Sequence, residues 1–235
     1  MKHSWLMLLA IVLALPATGL LPTVSGNEDV LQRRPLDLPS GGIAADQEEE
    51  DAPESIHFWG SEFEGDQFVI VFPAYGFCGD TTVYAAIRAE VTAAIHQLSS
   101  EATFDLVCFN AATFTWRPIV VPASNGNCSA AVAWMNTMSP IEQHCIVEAC
   151  TTALGISQAG DGQSKQMVVC GARGPYCTTS GSSDASAALM AITGANYQQT
   201  PMHTVYFTTN FYSGEEAFYQ QLAAMNGGTF RLVAF

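Results

Sequence analysis

Seven cysteines and a histidine are the side chains of this sequence whose types suggest chemistry. The cysteines are Cys78, Cys108, Cys128, Cys145, Cys150, Cys170 and Cys177. Cys78 precedes a predicted helix that begins near Thr81, and backbone N–H groups with the helix dipole lower the pKa of a thiol at such a position. With His144 as its base, Cys78 would be the centre of a thiol-dependent enzyme or a redox protein.

Other catalytic patterns are missing from the sequence. The histidines His57, His96, His144 and His203 fall in different predicted elements, and no G-x-S-x-G motif accompanies them. Residues 160–165, GDGQSK, contain glycine and lysine but lack the eight-residue spacing of a phosphate-binding loop. We interpret them as a tight turn, and we predict no cofactor.

The N-terminal residues 1–26 have the build of a secretory signal peptide. Lys2 is followed by an apolar run over residues 6–15 and then by Pro16, Ala17 and Gly19. Further apolar residues at positions 20, 21 and 24 leave an uncleaved membrane anchor as the alternative. Both interpretations place the rest of the chain outside the cytoplasm.

The acidic charge is concentrated near the N-terminus. Residues 27–66 carry twelve acidic residues against Arg33 and Arg34, whereas residues 67–235 carry ten against five basic residues. We predict that residues 27–66 form a disordered acidic linker, with packing beginning around Ile56, Phe58 and Phe63. Without a basic patch, binding to nucleic acid or to an anionic membrane surface is not expected, so membrane contact would be limited to an uncleaved anchor.

Export permits disulfide bonds, and this favours structural cysteines over a catalytic thiol. The odd number of cysteines leaves at least one thiol without an intramolecular partner. We predict that Cys108, within the apolar stretch LVCFN, is a buried free thiol and that Cys170 and Cys177 form a local disulfide, although spacing does not determine connectivity. No C-x-x-C pair indicates a zinc site.

The stretch QFVIVFPAYGFCGD, residues 67–80, predicts a buried strand that leads into a helix. Its apolar run ends at Phe72 and is broken by Pro73 and Gly76. Runs that are apolar on both faces are typical of the central strand of a parallel sheet. Further strands are predicted at 104–110, 113–121, 166–170, 202–208 and 229–235, and helices at 81–98, 128–138, 141–156, 184–193 and 213–225. This alternation predicts an α/β domain over residues 67–235, with a doubly wound, mostly parallel sheet, one antiparallel strand and helices on both faces.

The order of these elements, with the phrases TFDLVCFNAATFTW, MHTVYFTT and FYQQLAAMNGGTFRLV, resembles a von Willebrand factor type A domain over residues 67–235. In that family, an Asp-x-Ser-x-Ser motif, a threonine and a further aspartate hold a divalent cation. The resemblance places Phe72, Ala74, Gly76 and Gly171 at four of these ligand positions, and the loop SPIEQH offers no Gly-Gly-Thr. Since Mg²⁺ requires near-octahedral oxygen ligands, the resemblance implies a degenerate metal-ion-dependent adhesion site without metal.

The resemblance also implies function. We expect a non-enzymatic, adhesion-type interaction domain that binds a protein partner, unidentified from sequence, without a divalent cation. The expected binding surface comprises Phe72, Ala74, Tyr75, Gly76, Phe77, Gly171 and Tyr176. Within it, Tyr75, Phe77 and Tyr176 would form a partly exposed aromatic patch of the kind favoured in interfaces. The alternative is that these aromatic residues form a packed cap over the vacated metal position.

Overall fold

The strand predicted at the centre of the fold is the centre of the observed sheet. The computed structural model describes residues 54–76, 81–177, 184–208 and 215–234. Within them, β3 (Gln67–Pro73) is buried at every position and pairs in parallel with β4 (Thr103–Phe109) and β7 (Lys165–Gly171). The predicted signal peptide, most of the predicted linker, Phe77 and Cys78 lie outside the described residues.

The other strands extend this sheet in both directions. They are β5 (Thr113–Thr115), β6 (Val121–Pro122), β8 (Met202–Thr208) and β9 (Phe230–Ala234). Their order is β5-β4-β3-β7-β8-β9, and β6 also pairs with β4. The strands from β4 to β9 in this order are parallel, whereas β5 and β6 are antiparallel to β4. The predicted doubly wound, mostly parallel fold is therefore confirmed, with the antiparallel edge divided into two short strands.

Among the described residues, five helices cover the two faces of the sheet. They are α1 (Thr82–Ile95), α2 (Asn125–Met135), α3 (Ile146–Ala159), α4 (Ala185–Ala195) and α5 (Glu216–Met225). One apolar core joins the first face to α1 and α2, and a second joins the opposite face to α3, α4 and α5. Alternate residues of β3 divide between them, since Ile70 and Phe72 belong to the first core and Val69 and Val71 to the second.

An N-terminal hairpin extends the packed domain into residues that were assigned to the linker but include those around which packing is predicted to begin. The strands β1 (Glu54–Phe58) and β2 (Ser61–Gly65) pair antiparallel, within the stretch assigned to the linker. Trp59 and Gly60 both have positive φ angles, as a two-residue hairpin turn requires. The side chains of Ile56, Phe58 and Phe63 join the core of α1, as predicted for the residues around which packing begins, and the packed structure extends before residue 67. The many acidic residues of the stretch 27–66 are typical of a linker. They obscure the alternation of apolar and polar residues in these two short strands.

The starts of α2 and α3 also differ from prediction. The helix α2 begins at Asn125, three residues early, because the Ser124 hydroxyl accepts a hydrogen bond from Asn127 N–H and caps the helix. The helix α3 begins at Ile146 instead of Ile141, because Ile141 pairs with the chain that follows β3.

Candidate functional site

The carboxyl ends of β3 and β7 form the topological switch point of the sheet. From β3 the chain passes through α1 to β4 on one side, whereas β7 lies on the other side of β3. Connections leaving adjacent parallel strands in opposite directions open a crevice at their carboxyl ends, where ligands of such folds bind. The residues after β3 and β7 are therefore the first place to look for a site.

The segment between α2 and α3 pairs with the chain that leaves β3. Ile141 N–H donates to the Ala74 carbonyl at 3.1 Å, and Gly76 N–H donates to the Ile141 carbonyl at 3.4 Å. This forms an isolated parallel bridge between Tyr75 and Ile141. The segment thus lies beside the chain that leaves β3, and Ile141 remains 40% exposed.

A disulfide joins this segment to the connection that follows β7. It links Cys145 to Cys177, with the sulfur atoms 2.01 Å apart. The predicted Cys170–Cys177 disulfide is therefore wrong. Cys170 lies within β7 and packs in the core of α1, whereas Cys145 is at the start of α3, on the opposite face. The prediction of Cys108 as a buried free thiol is confirmed.

Most residues of the predicted binding surface lie in the protein interior. Phe72 packs in the core of α1, and its ring centroid lies 6.4 Å from that of Trp134. Ala74 is fully buried, and Tyr75 is 2% exposed, so Tyr75 agrees with the alternative of a packed cap and not with the aromatic patch. Gly76 is half-buried. Tyr176 is 43% exposed and remains at the surface.

Gly171 lies where the resemblance places a metal-binding aspartate, and an aromatic side chain fills the space beside it. A Cβ atom at this position would overlap the hydroxyl group and ring of Tyr219. The Tyr219 hydroxyl donates to the carbonyl of Arg173 at 2.6 Å. Through this hydrogen bond Tyr219 holds the chain that leaves β7, and the position of its ring requires glycine at residue 171.

The imidazole of His144 supports the same connection. Its Nε2 accepts a hydrogen bond from Ala172 N–H at 3.2 Å. The ring is fully buried, with edge-to-face contacts to Phe109 at 5.0 Å and Tyr75 at 5.5 Å. Burial, assisted by the positive charge of Arg173, lowers the pKa of His144 to about 3. At neutral pH the ring is uncharged, and an accepting Nε2 puts its proton on Nδ1.

Arg173 links the two segments at the surface. Its Nη1 lies 3.2 Å from Glu142 Oε1, and its guanidinium carbon lies 5.3 Å from the centre of the Tyr176 ring. Arg173, Tyr176, Ile141 and Glu142 line a shallow depression at this edge. Sequence reasoning missed Ile141 and Arg173 as surface residues of the site. Arg173 could have been found, because it is the first charged residue after β7 and residues 67–235 contain only five basic residues.

Within the described ranges, no group of three or more His, Cys, Asp or Glu side chains is arranged to hold a metal ion. In the same ranges, every helix is too short or insufficiently apolar to cross a membrane. The described part of the edge presents two segments joined by a disulfide, which carry the exposed side chains of Ile141 and Tyr176 and the ion pair between Arg173 and Glu142.

The sheet order and the switch point define an open, doubly wound α/β domain, and solved structures specify the fold further. A von Willebrand factor type A protein from Catenulispora acidiphila matches with a TM-score of 0.59 and 13% identity, over 74% of this chain and 40% of that one. The PilB minor pilin from Streptococcus sanguinis matches with a TM-score of 0.56 and 11% identity, over 73% and 57%. The domain from the type V pili tip protein Mfa5 of Porphyromonas gingivalis matches with a TM-score of 0.55 and 10% identity, over 72% of this chain and 89% of that one.

The described structure therefore has the fold of a von Willebrand factor type A domain, and the resemblance seen in the sequence is confirmed at the level of fold. The chain spans 40% and 57% of the lengths of the first two structures. No protein-family model matches the sequence, and neither does any curated protein sequence.

Proposed function

We propose that this protein is an extracytoplasmic interaction domain that binds a protein partner at the carboxyl edge of its sheet without a divalent cation and without catalysis. The observation that carries the proposal is the covalent joining of two edge segments by the Cys145–Cys177 disulfide, with Ile141 and Tyr176 left exposed upon them. Joined segments lose little conformational freedom on binding, so a preformed surface binds at lower entropic cost.

The location outside the cytoplasm is supported by two independent features. Disulfides persist in oxidising compartments, and residues 1–26 resemble a secretory signal peptide. Similar folds occur in a minor pilin and in a pilus tip protein. These neighbours favour a role at a cell surface, in contact with other proteins.

Independence from metal is supported by the side chains at the positions of the resemblance. Phe72 and Ala74 are fully buried and apolar, and Gly171 leaves its space to Tyr219. A cation that loses its hydration shell needs oxygen ligands in return. These positions supply none from their side chains.

The proposal of a non-catalytic role is supported by His144. A general base needs a pKa near the working pH and a ring nitrogen available to the reacting proton. The pKa of His144 is lowered to about 3, and its Nε2 already accepts a hydrogen bond from Ala172 N–H. Thiol labelling of the native protein tests the alternative, since a single fast-reacting Cys78 of low pKa would favour the enzyme.

The test of the binding surface compares two pairs of matched variants. The immobilised protein is exposed to the extracytoplasmic fraction of the source cells, and the bound protein is identified by mass spectrometry. Changing Ile141 and Tyr176 together to serine should abolish its capture, because both exposed apolar contacts are lost. Changing Ile119 and Tyr197 to serine removes the same side-chain types from exposed positions elsewhere, 58% and 74% exposed, and should leave capture intact.

The metal requirement is tested in the same assay. Capture should be unchanged when EDTA is added, and adding Mg²⁺ or Mn²⁺ should not increase it. A partner that is released by EDTA and recovered with Mg²⁺ would contradict binding without metal. A partner retained by the Ile141 and Tyr176 double variant would place the binding surface elsewhere.

A further inference from the structure

A cavity of about 390 Å³ lies beside the candidate site, between the connection after β7 and the first turns of α4 and α5. Its floor is formed by Leu189 and Phe218, which are 5% and 4% exposed. Pro175 and Tyr176 form the wall next to the Cys145–Cys177 disulfide. The volume falls within the range of ordinary ligand pockets, roughly 300–1,000 Å³.

The polar group best placed in this cavity is the carboxylate of Glu215. Its Oε2 accepts a hydrogen bond from Gly174 N–H at 2.6 Å. This bond fixes the orientation of the carboxylate, and no other described residue bonds to its second oxygen, Oε1. A carboxylate held in place above an apolar floor is arranged to receive a hydrogen-bond donor.

The charges around the cavity are mainly negative. Glu215 lines it, and two more carboxylates lie outside the lining. Glu216 follows Glu215, and Asp184 precedes α4, where its Oδ1 accepts hydrogen bonds from Ser186 and Ala187 N–H. The cation that lines it, Arg173, has its guanidinium 3.2 Å from Glu142. The residue charges here therefore leave an excess of carboxylates, and at the partly buried wall their field is screened less than in open water.

We propose that the cavity receives the side chain of an arginine or lysine from an extended segment of the partner protein. Such a side chain has an apolar stem that packs on Leu189 and Phe218 and a charged end that donates to Glu215 Oε1. An acidic side chain would be repelled by the same carboxylates. The inference rests on the proposed function, and it adds the chemistry of the partner, a basic peptide segment.

The experiment uses the full chain and a pair of synthetic peptides. The probe is acetyl-Ser-Gly-Arg-Val-Gly-Ser-amide, and its control carries citrulline, the uncharged isostere, in place of arginine. Binding is followed by the amide chemical shifts of the ¹⁵N-labelled protein. The arginine peptide should shift the amides of Gly174, Leu189 and Phe218, and the citrulline peptide should bind about tenfold more weakly, since a charge-assisted hydrogen bond is lost.

Three variants locate the binding. Glu215→Gln keeps an oxygen that can accept from Gly174 N–H but removes the charge, and it should weaken the arginine peptide about tenfold. Ala217→Leu narrows the cavity at an exposed position without changing charge and should also weaken binding. Asp161→Asn removes one exposed carboxylate at the opposite edge of the sheet and should have no effect. Equal binding of the two peptides, or an equal loss in Glu215→Gln and Asp161→Asn, would overturn the proposal.

The outcomes separate this inference from the proposed function. A partner captured through Ile141 and Tyr176 that is unaffected by Glu215→Gln would overturn the basic-side-chain pocket and leave the interaction domain standing. An arginine peptide bound in the cavity, with capture indifferent to Ile141 and Tyr176, would support the pocket and contradict the proposed binding surface.

Discussion

The hydroxyl group of Tyr219 occupies the space that a side chain at Gly171 would need. The two residues belong to different elements, since Gly171 ends β7 and Tyr219 lies in the second turn of α5. Tyr219 is fully buried, and its hydroxyl donates to the carbonyl of Arg173, the residue that contacts Glu142 and Tyr176 at the surface. The geometry of the edge therefore depends on glycine at position 171, because a larger residue would overlap Tyr219.

Replacing Gly171 with alanine should destabilise the protein, because the added Cβ atom overlaps a buried ring and hydroxyl group. We expect the free energy of unfolding to fall by about 1–3 kcal/mol, which is typical of overpacking. Denaturant titration measures this change. Gly155→Ala on α3 is the matched control, since nothing lies near its Cβ position, and it should be neutral or stabilising.

A second background tests the cause of the Gly171 effect. In a Tyr219→Leu protein the overlap with the phenol is removed, so Gly171→Ala should cost less than in the original protein. The same cost in both backgrounds would show that Tyr219 is not the reason for glycine at position 171.

The Cys145–Cys177 disulfide should contribute strongly to stability. The bridge spans 32 residues, and closing a loop of this length stabilises by about 3–4 kcal/mol in the chain-entropy model. A reducing agent should therefore lower the melting temperature of the original protein. The Cys145→Ser and Cys177→Ser double variant should lose this sensitivity to reductant, whereas Cys170→Ala should retain it. A non-reduced digest that yields Cys170 linked to Cys177 would contradict the structure.

Asp105 predicts how stability changes with pH. It is fully buried on β4, where its Oδ1 accepts a hydrogen bond from Arg117 N–H at 3.1 Å. Its Oδ2 has no partner among the described residues. Burial raises the pKa of Asp105 from 3.8 to about 7, against the smaller opposing effects of backbone hydrogen bonds and Arg117. Between pH 3.8 and about pH 7, the folded state therefore keeps a proton on Asp105 that the unfolded state has released.

Because the folded-state pKa is raised, the contribution of Asp105 is fully present below pH 3.8 and is lost as pH rises through about 7. The slope from this one group reaches at most about 1.4 kcal/mol per pH unit. Asp105→Asn cannot ionise, so its stability relative to the original protein should be greater at about pH 8 than at about pH 5. Chemical denaturation at both pH values measures the difference, and a constant difference would show that Asp105 is ionised in the fold throughout. The comparison cancels the opposite contributions of His144 and His203, whose pKa values burial lowers to about 3 and about 4.

Divalent cations should not stabilise the protein in a saturable way. A site of millimolar affinity would raise the free energy of unfolding by about 1.4 kcal/mol at about 10 mM Mg²⁺, which a thermal scan resolves. Nonspecific screening of the acidic N-terminal residues is controlled by matched ionic strength and by a chain that begins at residue 54. A saturable rise in melting temperature that survives both controls would show that the protein binds a metal. Its oxygen ligands would then come from residues other than Phe72, Ala74, Gly76 and Gly171.

The sequence predicted best those elements whose burial pattern is unambiguous. β8 has the predicted bounds, and β3, whose unbroken apolar run predicts a central strand, is buried at every position. Segments that bond outside their own element were predicted less well. Ile141 has the apolar character of a helix residue, but its backbone pairs with the chain after β3, and only tertiary structure reveals that competition.

The disulfide could not be predicted because sequence distance is a poor guide to spatial distance. Cys170 and Cys177 are seven residues apart, yet Cys170 packs within the core of α1 while Cys177 reaches Cys145. In a strand that is apolar on both faces, the sequence does not show which face of the sheet each residue occupies. The side of the sheet on which Cys170 packs could therefore not be predicted. The burial of Tyr75 was equally uncertain from sequence, because an aromatic ring is consistent with either a surface patch or a packed cap.

The hairpin determines where the chain enters the fold. Glu54 pairs with Gly65 and accepts a hydrogen bond from the Ser99 hydroxyl, close to the start of β3 and therefore at the amino edge of the sheet. Ile141 and Tyr176 lie at the carboxyl edge, at the other end of the strands. The first described residue and the two exposed residues of the candidate surface therefore lie at opposite edges of the sheet, separated by the length of the strands.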